Sequence, residues 1–169
     1  PYFSNILGYI GDPNQEDIEN NIYSESQVGR VGIEKYYDSY LRGMEGLSVV
    51  QKELASGKEN NSAVIEPKPG DNLYLSIDSN WQVKLSEILT QQTEAVKAFA
   101  GAGVIMNSKT GEIKALVTVP TFDSNLFAKG ISSKDYNALI TNPKQPLFNR
   151  PLSMQLPPGS IMKIFGAAA

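Results

Sequence analysis

Over residues 1–43 the apolar positions come in short runs between turn signals. One such run is Ile6-Leu7-Gly8-Tyr9-Ile10-Gly11, and an acidic, Asn-rich stretch follows it to about Ser26. From Val31 to Leu41, Ile33, Tyr36, Tyr37, Tyr40 and Leu41 recur at helical spacing, and Gly43 is placed to stop that helix. Leu47–Leu54 and Ser62–Glu66 read as two strands joined through the turn Ser56-Gly57-Lys58. Pro67-Lys68-Pro69-Gly70-Asp71 is the clearest break in the pattern, and it divides the chain into 1–70 and 71–169.

Past that break, Leu73-Tyr74-Leu75-Ser76-Ile77 alternates as a strand does. Asp78 or Ser79 then caps a helix, with Ser79-Asn80-Trp81-Gln82 matching a capping box. Trp81, Leu85, Ile88, Leu89, Val96 and Phe99 give this helix one apolar face through about Ala100, which makes Trp81 a core residue. Ala102–Met106 and Glu112–Val119 form a hairpin about the turn Asn107–Gly111. From Pro120 to Pro158 six prolines make the text irregular, with room for a short helix such as Lys134–Thr141. An apolar helical run begins at Ser160. The fold class is α+β, built from two units.

Charge and composition narrow the chemistry. The 169 residues carry net charge −3 and no long basic run, which argues against nucleic acid as a partner. No window approaches the apolar length of a membrane-spanning helix. There is no Cys and no His, so disulfides, thiol nucleophiles, Cys/His zinc sites and Ser–His dyads are all excluded within these residues. A general base here must be Lys, Asp, Glu or Tyr. No cofactor and no metal site are expected: Asp12, Glu16, Asp17 and Glu19 do not match a calcium loop and read as a solvated acidic stretch. Tyr36, Tyr37 and Tyr40 read as core or interface. The three arginines, Arg30, Arg42 and Arg150, read as loop-holding or carboxylate-pairing residues.

Ser160 and Lys163 stand three apart at a helix start, on one face. A serine hydroxyl becomes a nucleophile when a base takes its proton, and a lysine kept neutral by burial or by neighbouring cations can serve. Spacing alone decides little, since 16 serines and 12 lysines give about one such pair by chance. Taken alone, the pair reads more readily as a serine N-cap beside an exposed lysine in the first turn. Lys109-Thr110-Gly111 precedes Ser160 and falls in the hairpin turn, where polar residues followed by Gly are ordinary turn chemistry.

Collinear stretches supply the context. Leu7-Gly8-Tyr9-Ile10-Gly11, Gly29–Asp38 followed by Leu41-Arg42-Gly43, and Pro69–Asp78 come first. Gly103–Ile113, Asn149-Arg150-Pro151 and Pro157-Pro158-Gly159-Ser160-Ile161-Met162-Lys163 follow. Together, and in this order, they resemble the class B penicillin-binding proteins. Asn5 stands where a His is usual before the Leu-Gly-Tyr string, and Ile161-Met162 replaces the commoner Thr-Phe. The Pro-Pro-Gly before Ser160 is closer to elongation-type than to septal members.

The resemblance implies a non-catalytic pedestal, or dimerisation-type, domain over 1–70 and the N-terminal part of a transpeptidase domain over 71–169. It implies peptidoglycan D,D-transpeptidation, with Ser160 as nucleophile and oxyanion N–H donor and Lys163 as general base. Implied partners are peptidoglycan stem peptides, β-lactam antibiotics, other cell-wall synthesis proteins and the rest of the same domain. The implied location is the extracytoplasmic face of the bacterial membrane, held by an anchor outside this chain. No Ser-x-Asn or Lys-Thr-Gly follows Ser160 here, so this stretch by itself is expected to be inactive, with a sheet edge and apolar helix surface left uncovered. Two alternatives remain: an interaction module of the wall-synthesis machinery, and a β-lactam sensor or β-lactamase relative. Gly29–Gly43 argues against the latter, which usually lacks this domain.

Overall fold

A computed structural model describes the chain apart from residues 21, 23–25, 53–58, 129, 158 and 169. The first unit opens with a one-turn helix α1 (Ser4–Leu7), strand β1 (Tyr9–Gly11) and helix α2 (Gln15–Glu19). Asn14 and Asp17 close a reciprocal cap on α2, each accepting the other's backbone N–H. Strand β2 (Val28–Val31) pairs antiparallel with β1. Where the spacing predicts one helix over Val31–Leu41, two short ones form, α3 (Gly32–Tyr36) and α4 (Asp38–Leu41). Tyr37 lies between them at φ −109°, ψ 21°, outside the helical range, while the Asp38 carboxylate is drawn back to the Gly29 N–H (2.8 Å).

Strands β3 (Leu47–Lys52) and β4 (Glu59–Ile65) form a separate antiparallel pair; the expected turn at 56–58, and Leu54, lie outside the described residues. Met44 and Lys68 exchange backbone hydrogen bonds across the base of this pair. The segment Leu73–Ile77 is not a strand. It runs beside the edge of the second unit with one backbone bond, Asp78 N–H to the Lys114 carbonyl, and one side-chain bond, Ser76 Oγ to the Ile113 carbonyl. Alternation alone does not make a strand without a partner ladder.

The second unit is a long helix α5 (Ser79–Ala95) laid on an antiparallel hairpin of β5 (Gly101–Met106) and β6 (Ile113–Val119). Asp78 is the N-cap, accepting from Asn80 N–H and Trp81 N–H, so the expected Ser79–Gln82 box does not form. Helix α5 stops at Ala95, short of Ala100, and Val96 and Phe99 project from its end as exposed residues. Its buried face carries Gln82 and Ser86, beside Leu85 and Leu89, which meet Gly103 and Gly101 of β5. Trp81 and Ile88 lie on a neighbouring face and are exposed (Trp81 57%), so Trp81 is not a core residue. The apolar spacing of α5 covers more of the helix than the hairpin does; glycines in β5 admit the leucines only along one strip.

Val117 and Val119 of β6 join Phe122 and Phe127 in the core, where Tyr9 stacks on Phe127 (centroids 3.7 Å) and meets Phe122 edge-on. Helices α6 (Ser133–Ile140) and α7 (Arg150–Ser153) follow, and a 3₁₀ turn (Gly159–Met162) leads into α8 (Lys163–Ala168).

Gln82 is the fully buried polar side chain at the centre of this packing (1% exposed). Its Nε2 donates to the carbonyls of Tyr2 (2.8 Å) and Leu116 (2.9 Å), and its Oε1 accepts the Leu116 N–H (2.8 Å). The amide therefore closes the β6 edge that β5 does not cover and fastens the N-terminal segment to it. Gln82→Leu leaves a donor and two acceptors unmet in a dry interior, and is expected to cost roughly 2–4 kcal/mol, read as a lowered midpoint in thermal unfolding.

Candidate active site

The residues approaching Ser160 are anchored from below. Asn149 precedes α7 and donates through Nδ2 to the Asn5 carbonyl (2.6 Å), while Asn5 Nδ2 donates to the Pro146 carbonyl (3.2 Å). Arg150 is 4% exposed, yet it meets no carboxylate among the described residues. Its guanidinium instead donates to the carbonyls of Lys144, Gln145 and Phe148 and to Thr118 Oγ1 of β6 (3.3 Å). Burial pulls its pKa down from the usual guanidinium value. A rigid planar fork can gather several carbonyls of one bent loop and fix them to the sheet, which a flexible ammonium does less well. The reading of Arg150 as loop-holding from sequence gave no sign that it would be buried to do so.

Ser160 and Lys163 follow in the 3₁₀ turn and at the first residue of α8, and both are exposed. The run expected to start as an α-helix at Ser160 is therefore 3₁₀ for its first turn. Ser160 lies in the 3₁₀ turn and Lys163 opens α8, so the two stand about one helical turn apart across that junction.

The other candidates go elsewhere. Lys109-Thr110-Gly111 forms the β5–β6 turn: Asn107 Oδ1 accepts from Lys109 N–H (3.0 Å), and Thr110 Oγ1 donates to Glu112 (3.1 Å). Lys114 and then Thr110 hold the Glu112 carboxyl below its usual range. Asp17 pairs with Arg30 (2.8 Å), and no acidic group that could hold a metal ion occurs among the described residues. Tyr36 and Tyr40 are exposed rather than buried (Tyr36 81%), with Tyr36 meeting Tyr37 edge-on at 4.9 Å. The sequence named Gln82 only in a capping box and Asn149 only in a motif string, and showed neither's buried bridging role; a glutamine on the apolar side of a helix was the one available signal.

Both parts of the chain are similar to known proteins. The Penicillin-binding Protein dimerisation domain matches residues 1–75, and the Penicillin binding protein transpeptidase domain matches residues 101–169. The peptidoglycan D,D-transpeptidase MrdA of Acinetobacter baumannii is 36% identical over 165 residues, 95% of this chain and 24% of its own length. Among solved structures, PBP2 of Helicobacter pylori in its complex with MreC superposes with TM-score 0.73 at 30% identity, covering 95% of this chain and 29% of that one. Pseudomonas aeruginosa PBP2 in complex with WCK 5153 gives TM-score 0.67 at 30% identity over 96% and 31%. The chain thus spans about a quarter of the length of the MrdA relative it matches. With a dimerisation domain followed by the opening of a transpeptidase domain, and likeness to MrdA and PBP2 along almost all its length, the chain belongs to the class B penicillin-binding proteins.

Proposed function

We propose that the protein is a peptidoglycan D,D-transpeptidase working through an acyl-serine intermediate, with Ser160 as nucleophile and Lys163 as general base. The observation that supports this reading is their spacing of one helical turn across the start of α8, inside the stretch matched to the transpeptidase domain. Ser160 Oγ attacks the carbonyl carbon of the penultimate D-Ala of a stem peptide while Lys163 Nζ accepts the hydroxyl proton. The backbone N–H of Ser160 is one donor to the oxyanion that develops. The C–N bond to the terminal D-Ala breaks, and that D-Ala leaves with a proton on its amine. An amine of a neighbouring strand then attacks the ester, forming the cross-link and returning the serine hydroxyl. A β-lactam enters by the same attack, its ring amide opening to leave an ester on Ser160.

In this reading residues 1–70 are the pedestal and 71–169 the transpeptidase portion, with the segment 1–7 docked on the latter. The site of action is the extracytoplasmic face of the membrane, with anchoring by an N-terminal helix; among the described residues no helix is long and apolar enough to cross a bilayer. Partners from the wall-synthesis machinery fit the exposed Tyr36, Tyr40 and Met44 of the first unit, and the Helicobacter pylori relative was solved with MreC. These tyrosines favour interaction as a second role of the pedestal.

Incubating the full-length protein with a fluorescent penicillin, followed by peptide mapping, tests the chemistry. One covalent adduct on the peptide containing Ser160 is expected. No adduct, or an adduct on another residue, overturns the assignment.

A further inference from the structure

The loop that precedes the nucleophile is shaped around one buried cation that takes no part in the acyl transfer. Arg150 opens α7, and its guanidinium donates to the carbonyls of Lys144, Gln145 (3.2 Å) and Phe148 (3.4 Å) and to Thr118 Oγ1 of β6 (3.3 Å). It also lies over the Phe148 ring, 5.8 Å from the centroid. All of these partners are uncharged, and all lie between residues 118 and 148. Burying a cation against neutral acceptors stabilises a fold less than filling the same space with a hydrocarbon side chain. What the guanidinium adds is geometry, because its rigid planar set of donors draws three carbonyls of one loop to a single point.

That loop contains backbone that needs holding. Gln145 lies in the left-handed region (φ 45°), which is uncommon for a residue with a side chain. Its carbonyl accepts from Arg150 and from the Phe148 N–H (3.1 Å), and its own N–H donates to the Asn142 carbonyl (2.9 Å). Such a conformation persists only where the surroundings over-determine it, and the Arg150 fork is the part of those surroundings that reaches the sheet.

The same residue fixes the chain that runs on to Ser160. The Arg150 carbonyl accepts the Met154 N–H (3.0 Å), which closes α7, and α7 rests on β5 and β6. The residues from Gln155 to Gly159 include Pro157 and Pro158, and a proline ring removes one backbone freedom and restricts the residue before it. Gly159 adds a left-handed step (φ 59°), and Ser160 follows. With so few free dihedrals in the connection, a shift of α7 reaches the nucleophile.

We propose that Arg150 is a positioning residue for the reaction: by holding the loop 144–148 against Thr118, it sets where α7 sits and so where the Ser160 hydroxyl is presented. The inference rests on the transpeptidase reading for what Ser160 attacks.

The test follows acylation of the full-length protein over a range of fluorescent-penicillin concentrations, below the unfolding midpoint of every variant. This separates the maximal rate from the concentration that gives half of it. Arg150→Met keeps an apolar stem and loses the donors. Its maximal rate is expected to fall about 30-fold, the scale for a small misplacement of a reacting group, with the half-saturating concentration held within about threefold. Gln82→Leu controls for destabilisation alone, with a lowered midpoint and a maximal rate within about twofold of wild type. Adding Gln145→Gly to Arg150→Met is expected to recover about fivefold in rate, because glycine keeps the left-handed turn without the clamp. A residue that only stabilised the fold would lower the midpoint and leave the rate at this temperature unchanged.

Should Arg150→Met fail to fold, Thr118→Val removes the sheet anchor of the guanidinium at nearly constant shape, and is expected to slow the maximal rate about fivefold. Amide exchange reads the positioning without the reaction. The N–H groups of Leu152, Ser153 and Met154, bonded to the carbonyls of Asn149 and Arg150, are expected to exchange about tenfold faster in Arg150→Met and at the wild-type rate in Gln82→Leu. Absence of any adduct on wild-type Ser160 would sink the serine chemistry, and the exchange rates would still decide the positioning. A maximal rate within about threefold of wild type in Arg150→Met, or within about twofold in Thr118→Val, would overturn the proposal. So would an equal loss in Gln82→Leu, no recovery on adding Gln145→Gly, or unchanged exchange in α7.

Discussion

In the full-length protein, Lys163→Ala is expected to slow acylation by a β-lactam by roughly 10²–10⁴-fold, the range for losing a general base. Lys163→Arg is expected to slow it as much. The arginine control separates two roles that the alanine variant confounds. If Lys163 only offered positive charge near the substrate, a guanidinium would preserve most of the rate. If it takes the Ser160 proton, a guanidinium fails, because it stays protonated at any pH the protein survives. No imidazole exists within these residues to substitute for it. Ser160→Ala is expected to give no covalent adduct at all. The measurement is a time course of fluorescent-penicillin labelling alongside thermal unfolding. Lys163 is exposed, so the midpoint is expected to hold while the rate collapses. Retention of more than about a tenth of the rate by Lys163→Arg would remove the base from the mechanism.

The sequence made some of this legible and concealed the rest, for identifiable reasons. The β5–β6 hairpin is written in adjacent residues: two apolar runs about Asn107–Gly111, with Gly111 in the left-handed region (φ 78°). Helix α6 shows in the same way, its Ser132 cap accepting the Asp135 N–H. Errors came where a local pattern depended on a distant partner. Leu73–Ile77 has strand alternation but no ladder to join. Trp81 has helical spacing but lies beside the strip that the β5 glycines open to Leu85 and Leu89. Gln82 and Arg150 are polar residues whose burial is decided by partners tens of positions away, the carbonyls of Leu116 and Tyr2 for the first and the β6 hydroxyl of Thr118 for the second. Ser160–Lys163 was weak as a spacing and strong as one member of an ordered series. The structure adds the 3₁₀ turn that leads from Ser160 into α8 at Lys163, and the clamp at Asn149 and Arg150 on the chain leading to them.

A backbone crossing in the first unit is a second sensitive point for stability. Gly8 follows α1, and the segment through Tyr2, Ser4 and Asn5 is bonded to the second unit, while Gly32 begins α3 of the pedestal. The two glycines face each other. A Cβ on Gly8 would sit 1.9 Å from the Val31 carbonyl oxygen, and one on Gly32 would sit 2.6 and 2.7 Å from the carbonyl oxygens of Ile6 and Leu7. Both adopt positive φ, 88° and 66°. Gly8→Ala therefore incurs a conformational cost of about 1–2 kcal/mol and an overlap with backbone that no rotamer change relieves, about 1–3 kcal/mol more. Gly111→Ala provides the control, since φ is also positive (78°) but nothing lies within 4 Å of the added carbon. The expected result is a fall in unfolding midpoint of roughly 5–15 °C for Gly8→Ala and only a few degrees for Gly111→Ala. Equal shifts for the two would mean that φ alone sets the cost and that the crossing is loose enough to part. A larger shift at Gly8 would mean that the docked N-terminal segment and the pedestal helix are held at a fixed backbone contact, three residues from Asn5, whose carbonyl accepts from Asn149 at the start of the segment that leads to Ser160.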